Sequence, residues 1–164
     1  MKKTLFTLIT AFLACFLVSS CSDGEETELT ILGDWHLTEW TLTTGDDYID
    51  GLFNGLYQQE IKKYDIVRTF SNSSYSSNTI DRENGNIIRK KEGTYRIEPE
   101  QVLAIDDENY GGTVKSKFLL SGKILTTNRE INIQDLRNLA DELGIDPHVL
   151  PNAINGTLKM KEAR

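Results

Sequence analysis

From residue 35 onward, apolar and polar side chains alternate in short runs separated by Gly, Asn and Asp clusters, the pattern of an antiparallel β protein. The alternation predicts eight strands, at residues 35–42, 64–71, 74–81, 87–97, 102–106, 112–121, 123–129 and 156–161. Asn84-Gly85 predicts a hairpin between the third and fourth strands with positive φ at both residues. Glu98-Pro99-Glu100 and Ser121-Gly122 are further turn signals. Gly93, inside the fourth run, predicts a bulge or bend.

Parity along each run picks out one buried face. Tyr95 and Ile97 oppose Thr94 and Arg96; Val114, Phe118 and Leu120 oppose Lys115 and Lys117; Leu158 and Met160 oppose Lys159 and Lys161. One face in and one face out suits a sheet closed on itself or packed on another sheet. Trp35, Phe70, Tyr95, Ile97, Val114, Phe118, Leu120, Leu158 and Met160 are therefore expected to share one interior. Trp40 has the opposite parity to Trp35, so it should face outward, where a partner or glycan can stack on it, or lie under the first helix.

Two segments break the β rhythm. Apolar residues at 49, 52, 53, 56, 57, 61 and 64 follow helical spacing. Leu136, Leu139, Ala140 and Leu143 make a second stripe, with Asn132 as its cap and Gly144 as its stop. Asp146-Pro147 predicts the cap and first position of a further short helix ending near residue 155. The first helix joins strands one and two, where Leu52, Phe53 and Leu56 can serve as a lid or plug. The others join strands seven and eight.

Leu32-Gly33-Asp34-Trp35 at the head of the first strand resembles the Gly-x-Trp signature of the lipocalins and their bacterial lipocalin-like relatives. Gly93-Thr94-Tyr95-Arg96-Ile97 is similar to a Gly-Thr-Tyr strand recurrent in those relatives, and Thr69-Phe70 ends a matching apolar-aromatic strand. The resemblance covers residues 32–125 and the closing strand. It implies an eight-stranded barrel whose interior holds its own side chains or one small ligand. Gly33 would let the chain enter tightly, and Trp35 would plug the closed end. Lipocalins stack an arginine from the closing region on this tryptophan; Lys159, Lys161 and Arg164 are the residues here that could serve. The helices before the last strand depart from a simple up-and-down meander. Tyr95, Phe118 and Phe70 are the candidate ligand contacts.

The N-terminus changes the picture of where the domain works. Lys2 and Lys3 precede an apolar run at 4–18, shorter than the ~20 residues needed to span a bilayer, followed by Ser19, Ser20 and Cys21. A basic start and a small-residue finish fit a cleaved secretory signal at 1–20. Val18-Ser19-Ser20-Cys21 resembles the lipobox of bacterial lipoproteins, which implies a diacylglyceryl group on Cys21 and palmitate-type acylation of the new amino terminus. Several acyl chains at ~0.8 kcal/mol per buried methylene make such anchoring stable. An ordinary signal cleaved nearby would instead leave Cys21 a free thiol. Cys15 is lost with the signal, so an acylated Cys21 leaves no thiol for disulfides or metals.

Residues 21–28 read as an acidic tether, and 29–164 as one lipocalin-like domain. Ser22-Asp23-Gly24-Glu25-Glu26 also resembles the acidic export signal of Bacteroidota-type lipoproteins. That resemblance implies display on the outside of the outer membrane; the periplasmic face is the alternative. Loss of Lys2 and Lys3 takes the formal charge from −7 to −9, which speaks against a nucleic-acid partner.

Catalytic and metal chemistry is thinly represented. His36 and His148 are the sole histidines, in no zinc or Ser-His-Asp pattern. Asp106-Asp107-Glu108-Asn109 lacks the spaced oxygens of a calcium loop and reads as a solvated hairpin tip. No cofactor is expected. The chain is expected to be no enzyme but an outer-membrane, lipid-anchored binding module for a small apolar or amphipathic ligand. The alternative is an interaction lipoprotein whose filled barrel meets an envelope protein or a glycan. A hollow interior favours the first and a filled one the second.

Overall fold

The computed structural model describes residues 30–107 and 112–164. The leader, Cys21 and the acidic tether lie outside the described residues, as do Glu108 and Asn109. Eight strands, β1 (Gly33–Thr43), β2 (Tyr64–Ser71), β3 (Ser74–Asp81), β4 (Ile87–Glu98), β5 (Val102–Asp107), β6 (Gly112–Ser121), β7 (Ile124–Ile131) and β8 (Gly156–Ala163), pair in sequence order. All pairs are antiparallel, and β8 returns to β1 to close a barrel. Closure leaves no sheet edge to template aggregation. The architecture is compatible with a lipocalin-like fold. Helix α1 (Asp47–Lys63) follows β1, and helix α2 (Ile133–Leu143) precedes β8.

Each helix starts where its sequence provides a cap. Asp46 Oδ1 accepts hydrogen bonds from the backbone N–H groups of Tyr48 and Ile49 at 3.0 and 3.1 Å. Asn132 and Asp135 form a reciprocal capping box at the head of α2, and Gly144 ends that helix. The helix expected to reach residue 155 is a single 3-10 turn, Pro147–Val149. Pro151 explains the stop, because a proline disfavours helical backbone at the residue before it, and Leu150 is extended.

Three other expectations are refined or corrected. The hairpin at Asn84-Gly85 forms between β3 and β4, but Gly85 alone takes positive φ, inside a five-residue connection. The tight turn is instead Asn72-Ser73, both left-handed, between β2 and β3. Gly93 makes no bulge: the β3–β4 register runs through it unbroken, and a Cβ there would collide with the Asp106 carbonyl oxygen. Close backbone approach, not bending, requires the glycine.

The third settles the place of Trp40, which lies under the first helix rather than facing outward. β1 bulges between Leu37 and Glu39, where Thr38 is the extra residue against β8 and its hydroxyl donates to the Lys161 carbonyl at 3.0 Å. A bulge inserts one residue and so restores inward parity beyond it. Trp40 therefore faces the interior, stacked on Tyr57 of α1 with ring centroids 4.0 Å apart. It is not open to a partner or glycan.

Two apolar clusters fill the barrel from opposite ends. Trp35, Phe70, Tyr95, Leu103 and Leu125 pack at the end where the chain enters. Trp40, Leu42, Phe53, Leu136 and Leu158 pack beneath the two helices at the other. β1 leaves β2 after His36, and α1 supplies what that strand would have given. The Asn54 amide accepts from the Leu42 N–H at 2.8 Å and donates to the Leu42 carbonyl at 2.9 Å. Of the nine residues expected inside, Ile97 alone is not: it is 55% exposed, because β4 runs past the Tyr95 plug and nothing covers its last pleat.

Candidate functional site

The Gly33-Asp34-Trp35 segment heads the cluster at the end where the chain enters. Gly33 enters β1 with φ +112°, a conformation that side chains with a Cβ rarely adopt. Trp35 is fully buried and donates its indole N–H to the Ile31 carbonyl at 2.7 Å. Arg164, one of the three basic residues considered from the closing region, lies over the indole with its guanidinium carbon 4.6 Å from the ring centroid. Its Nη1 donates to the Leu32 carbonyl at 2.9 Å. A cation on an indole face contributes about 0.5–1 kcal/mol at an exposed site.

Phe70 and Tyr95 belong to this plug, with ring centroids 5.0 Å apart in an edge-to-face pair. Phe118 packs partly buried against it. The three aromatics considered as ligand contacts are thus brought together, but at the closed end. None of them lines the cavity described next.

Above the plug and below the helices lies a cavity of about 120 Å³. Its lining mixes apolar side chains, Leu37, Trp40, Ile66, Leu158 and Met160, with the polar Arg68, Tyr75, Ser77, Lys91, Asp107 and Glu162. Val114 also lines it. An apolar cavity near 150 Å³ accommodates benzene, so the space suits a molecule of about that size. Drug-sized ligands occupy pockets of roughly 300–1,000 Å³.

An ion pair dominates the polar part of the lining. Arg68 on β2 and Glu162 on β8 flank β1, and they join across its inner face in a two-pronged pair, Nε to Oε1 and Nη2 to Oε2. Arg68 is 7% and Glu162 1% exposed. Burial works against the guanidinium charge, and the Glu162 carboxylate offsets it, so the Arg68 pKa is held above its ordinary value. Burial also pushes the Tyr75 hydroxyl up, against the nearby Arg68 charge and a hydrogen bond with Ser77. Tyr75 therefore stays neutral, a donor and acceptor at the cavity wall.

Further ion pairs fasten α2 over this space. Glu142 meets Lys91 and, at 3.9 Å, Arg89, both on β4. Asp135 meets Arg129 of β7 at 2.9 Å. Leu136, Leu139 and Ala140 supply the apolar underside.

Arg68 and Glu162 were not singled out in the sequence, yet both carry a readable signal. Arg68 stands at the inward parity of Ile66 and Phe70. Glu162 continues the inward series Leu158, Met160 one pleat beyond where the last strand was expected to end. Opposite charges on the buried parity of two strands are costly unless paired.

Among the described residues, no group of three or more His, Cys, Asp or Glu is placed to hold a metal ion, and no helix is long and apolar enough to cross a membrane. His36 is at the surface, its Nδ1 3.0 Å from Asp65 Oδ2. Comparison with protein-family models, with curated proteins and with solved structures gave no match.

Proposed function

We propose that this protein is an outer-membrane lipoprotein, anchored through Cys21, whose lipocalin-like barrel binds a small amphipathic ligand rather than converting it. The observation that carries the binding role is the cavity around Arg68 and Glu162, whose lining combines apolar side chains with charged and hydroxyl-bearing ones. Such a lining favours a molecule with a ring-sized apolar body and a polar head over a purely apolar one. A long acyl chain has no room beside the two end clusters. The anchor rests on the Lys2-Lys3 start, the short apolar run and the Val18-Ser19-Ser20-Cys21 match. The acidic residues Asp23, Glu25 and Glu26 favour the cell surface over the periplasmic face.

The second reading, an interaction lipoprotein that meets an envelope protein or glycan, draws on the clusters that fill both ends of the barrel. Native mass spectrometry of the protein extracted gently from its envelope separates the readings. The first expects the mass increment of acyl chains on Cys21 together with one retained small molecule. Cys21→Ser should remove the acyl mass, end palmitate labelling and release the protein from the membrane fraction. An unacylated wild type overturns the anchor, and an empty barrel with an associated protein favours the second reading.

A further inference from the structure

The closed end of the barrel carries exposed side chains that the plug does not use. Leu119, near the end of β6, is 59% exposed, and Ile124, at the start of β7, is 45% exposed. Phe118, Leu120 and Leu125 turn inward, so Leu119 and Ile124 face out. Leu119 pairs with Thr126, which makes Ile124 its diagonal neighbour on the outer face; diagonal pairs across strands are within about 7–8 Å. The patch continues through the backbone. The Arg164 N–H donates to the Lys123 carbonyl at 3.2 Å, and the Arg164 side chain holds the carbonyl of Leu32, itself exposed. Lys117 and Lys123 are exposed beside these residues.

We propose that this end is a membrane-docking face, laid against the phospholipid headgroups of the bilayer that holds the Cys21 lipid. The inference rests on the lipoprotein reading and adds an orientation to it. The described chain begins at Thr30, two residues before Leu32, so the tether reaches the domain at this end. From Cys21 to Thr30 the chain spans at most about 30 Å, at 3.3–3.6 Å per residue. The tether thus joins the domain on the side that carries the apolar patch.

Charge selects the same end. In a chain of net charge −7, Lys117, Lys123 and Arg164 gather here, and lysines beside leucine and isoleucine can bury their stems while reaching phosphates. Asp34, Glu39 and Glu100 are exposed acids at this end, but Asp34 accepts a hydrogen bond from Thr69 and Glu39 is paired with Lys161. The opposite end also exposes apolar groups, Tyr48, Ile87, Ile88 and Val149. It presents them among Asp46, Asp47, Glu83, Asp141 and Asp146, which outnumber the exposed Lys62, Lys63 and Arg82 there and weaken attraction to anionic headgroups.

Site-directed fluorescence tests the orientation. Leu119→Cys, Ile124→Cys and, at the far end, Tyr48→Cys each carry a small dye on the acylated protein, reconstituted in phosphatidylcholine–phosphatidylglycerol vesicles with brominated acyl chains. Interfacial groups lie about 5–10 Å into the headgroup–acyl boundary, where bromines quench. The docking face predicts quenching and a blue shift at 119 and 124, and neither at 48. All three sites are exposed, so melting temperatures should match the wild type. Equal or absent quenching with intact acylation, or quenching at 48 alone, overturns the orientation. Shielding of 119 and 124 without vesicles, rising with protein concentration, assigns the face to a second copy and also overturns it. A Cys21 without acyl mass in the same preparation overturns the lipoprotein reading instead.

Discussion

Glu162→Gln should lower the unfolding free energy by about 3–5 kcal/mol, because it leaves the Arg68 charge buried without its counter-ion. Domains of this class are stable by only about 5–15 kcal/mol, so the loss is a large share of the total and shifts the melting temperature by roughly 10–20 °C. The paired replacement Arg68→Met with Glu162→Leu should behave differently. Exchanging a whole buried ion pair for apolar groups of similar volume is often neutral, or stabilising by about 1–4 kcal/mol. Thermal and chemical denaturation of the two variants separates these outcomes. A mild effect of Glu162→Gln would mean that water reaches the pair and that the cavity is open to solvent. A restored fold in the double variant would mean that the ion pair contributes little to stability, which leaves recognition as the reason for its presence.

Trp35→Ala should cost about 3–5 kcal/mol, the range for emptying a buried aromatic site. The residue is fully buried, its indole N–H has a partner, and Phe70 and Leu125 pack in the same cluster. Arg164→Ala removes one cation over the ring and one hydrogen bond to the Leu32 carbonyl. It should cost far less, about 1–2 kcal/mol from the two contributions together. Denaturant titration of both variants checks the order. Equal losses would show that Arg164 holds the plug in place rather than covering it.

The barrel was legible because alternation is strict where one face is buried. Lys115 and Lys117 in β6, and Lys159 and Lys161 in β8, mark the outside two residues apart, and both helices announce themselves by stripe, the second also by its cap. What escaped was whatever interrupts the period. The bulge at Thr38 is invisible to a parity count, and it decides between the two places open to Trp40, setting it under the first helix against Tyr57. Ile97 kept the inward parity and lost its burial, since alternation gives direction and not depth. The aromatics Phe70, Tyr95 and Phe118 drew attention as ligand contacts by size alone. Their height along the barrel axis, set by register across several strands, puts them in the plug. The cavity wall escaped for the opposite reason. Arg68 and Glu162 are charged, charges are ordinarily solvated, and their pairing joins residues 94 positions apart.

Calorimetric titration with probes of graded size tests the binding role most directly. Phenol, a ring with one hydroxyl, is close in size to the benzene that a cavity near 150 Å³ accommodates; palmitate is far longer than the space between the end clusters. The cavity predicts saturable one-to-one binding of phenol to the wild type and loss of that binding in the Arg68→Met, Glu162→Leu variant, with no binding of palmitate to either. Saturable uptake of palmitate, or phenol binding unchanged in the double variant, would contradict a small polar-walled site centred on the ion pair.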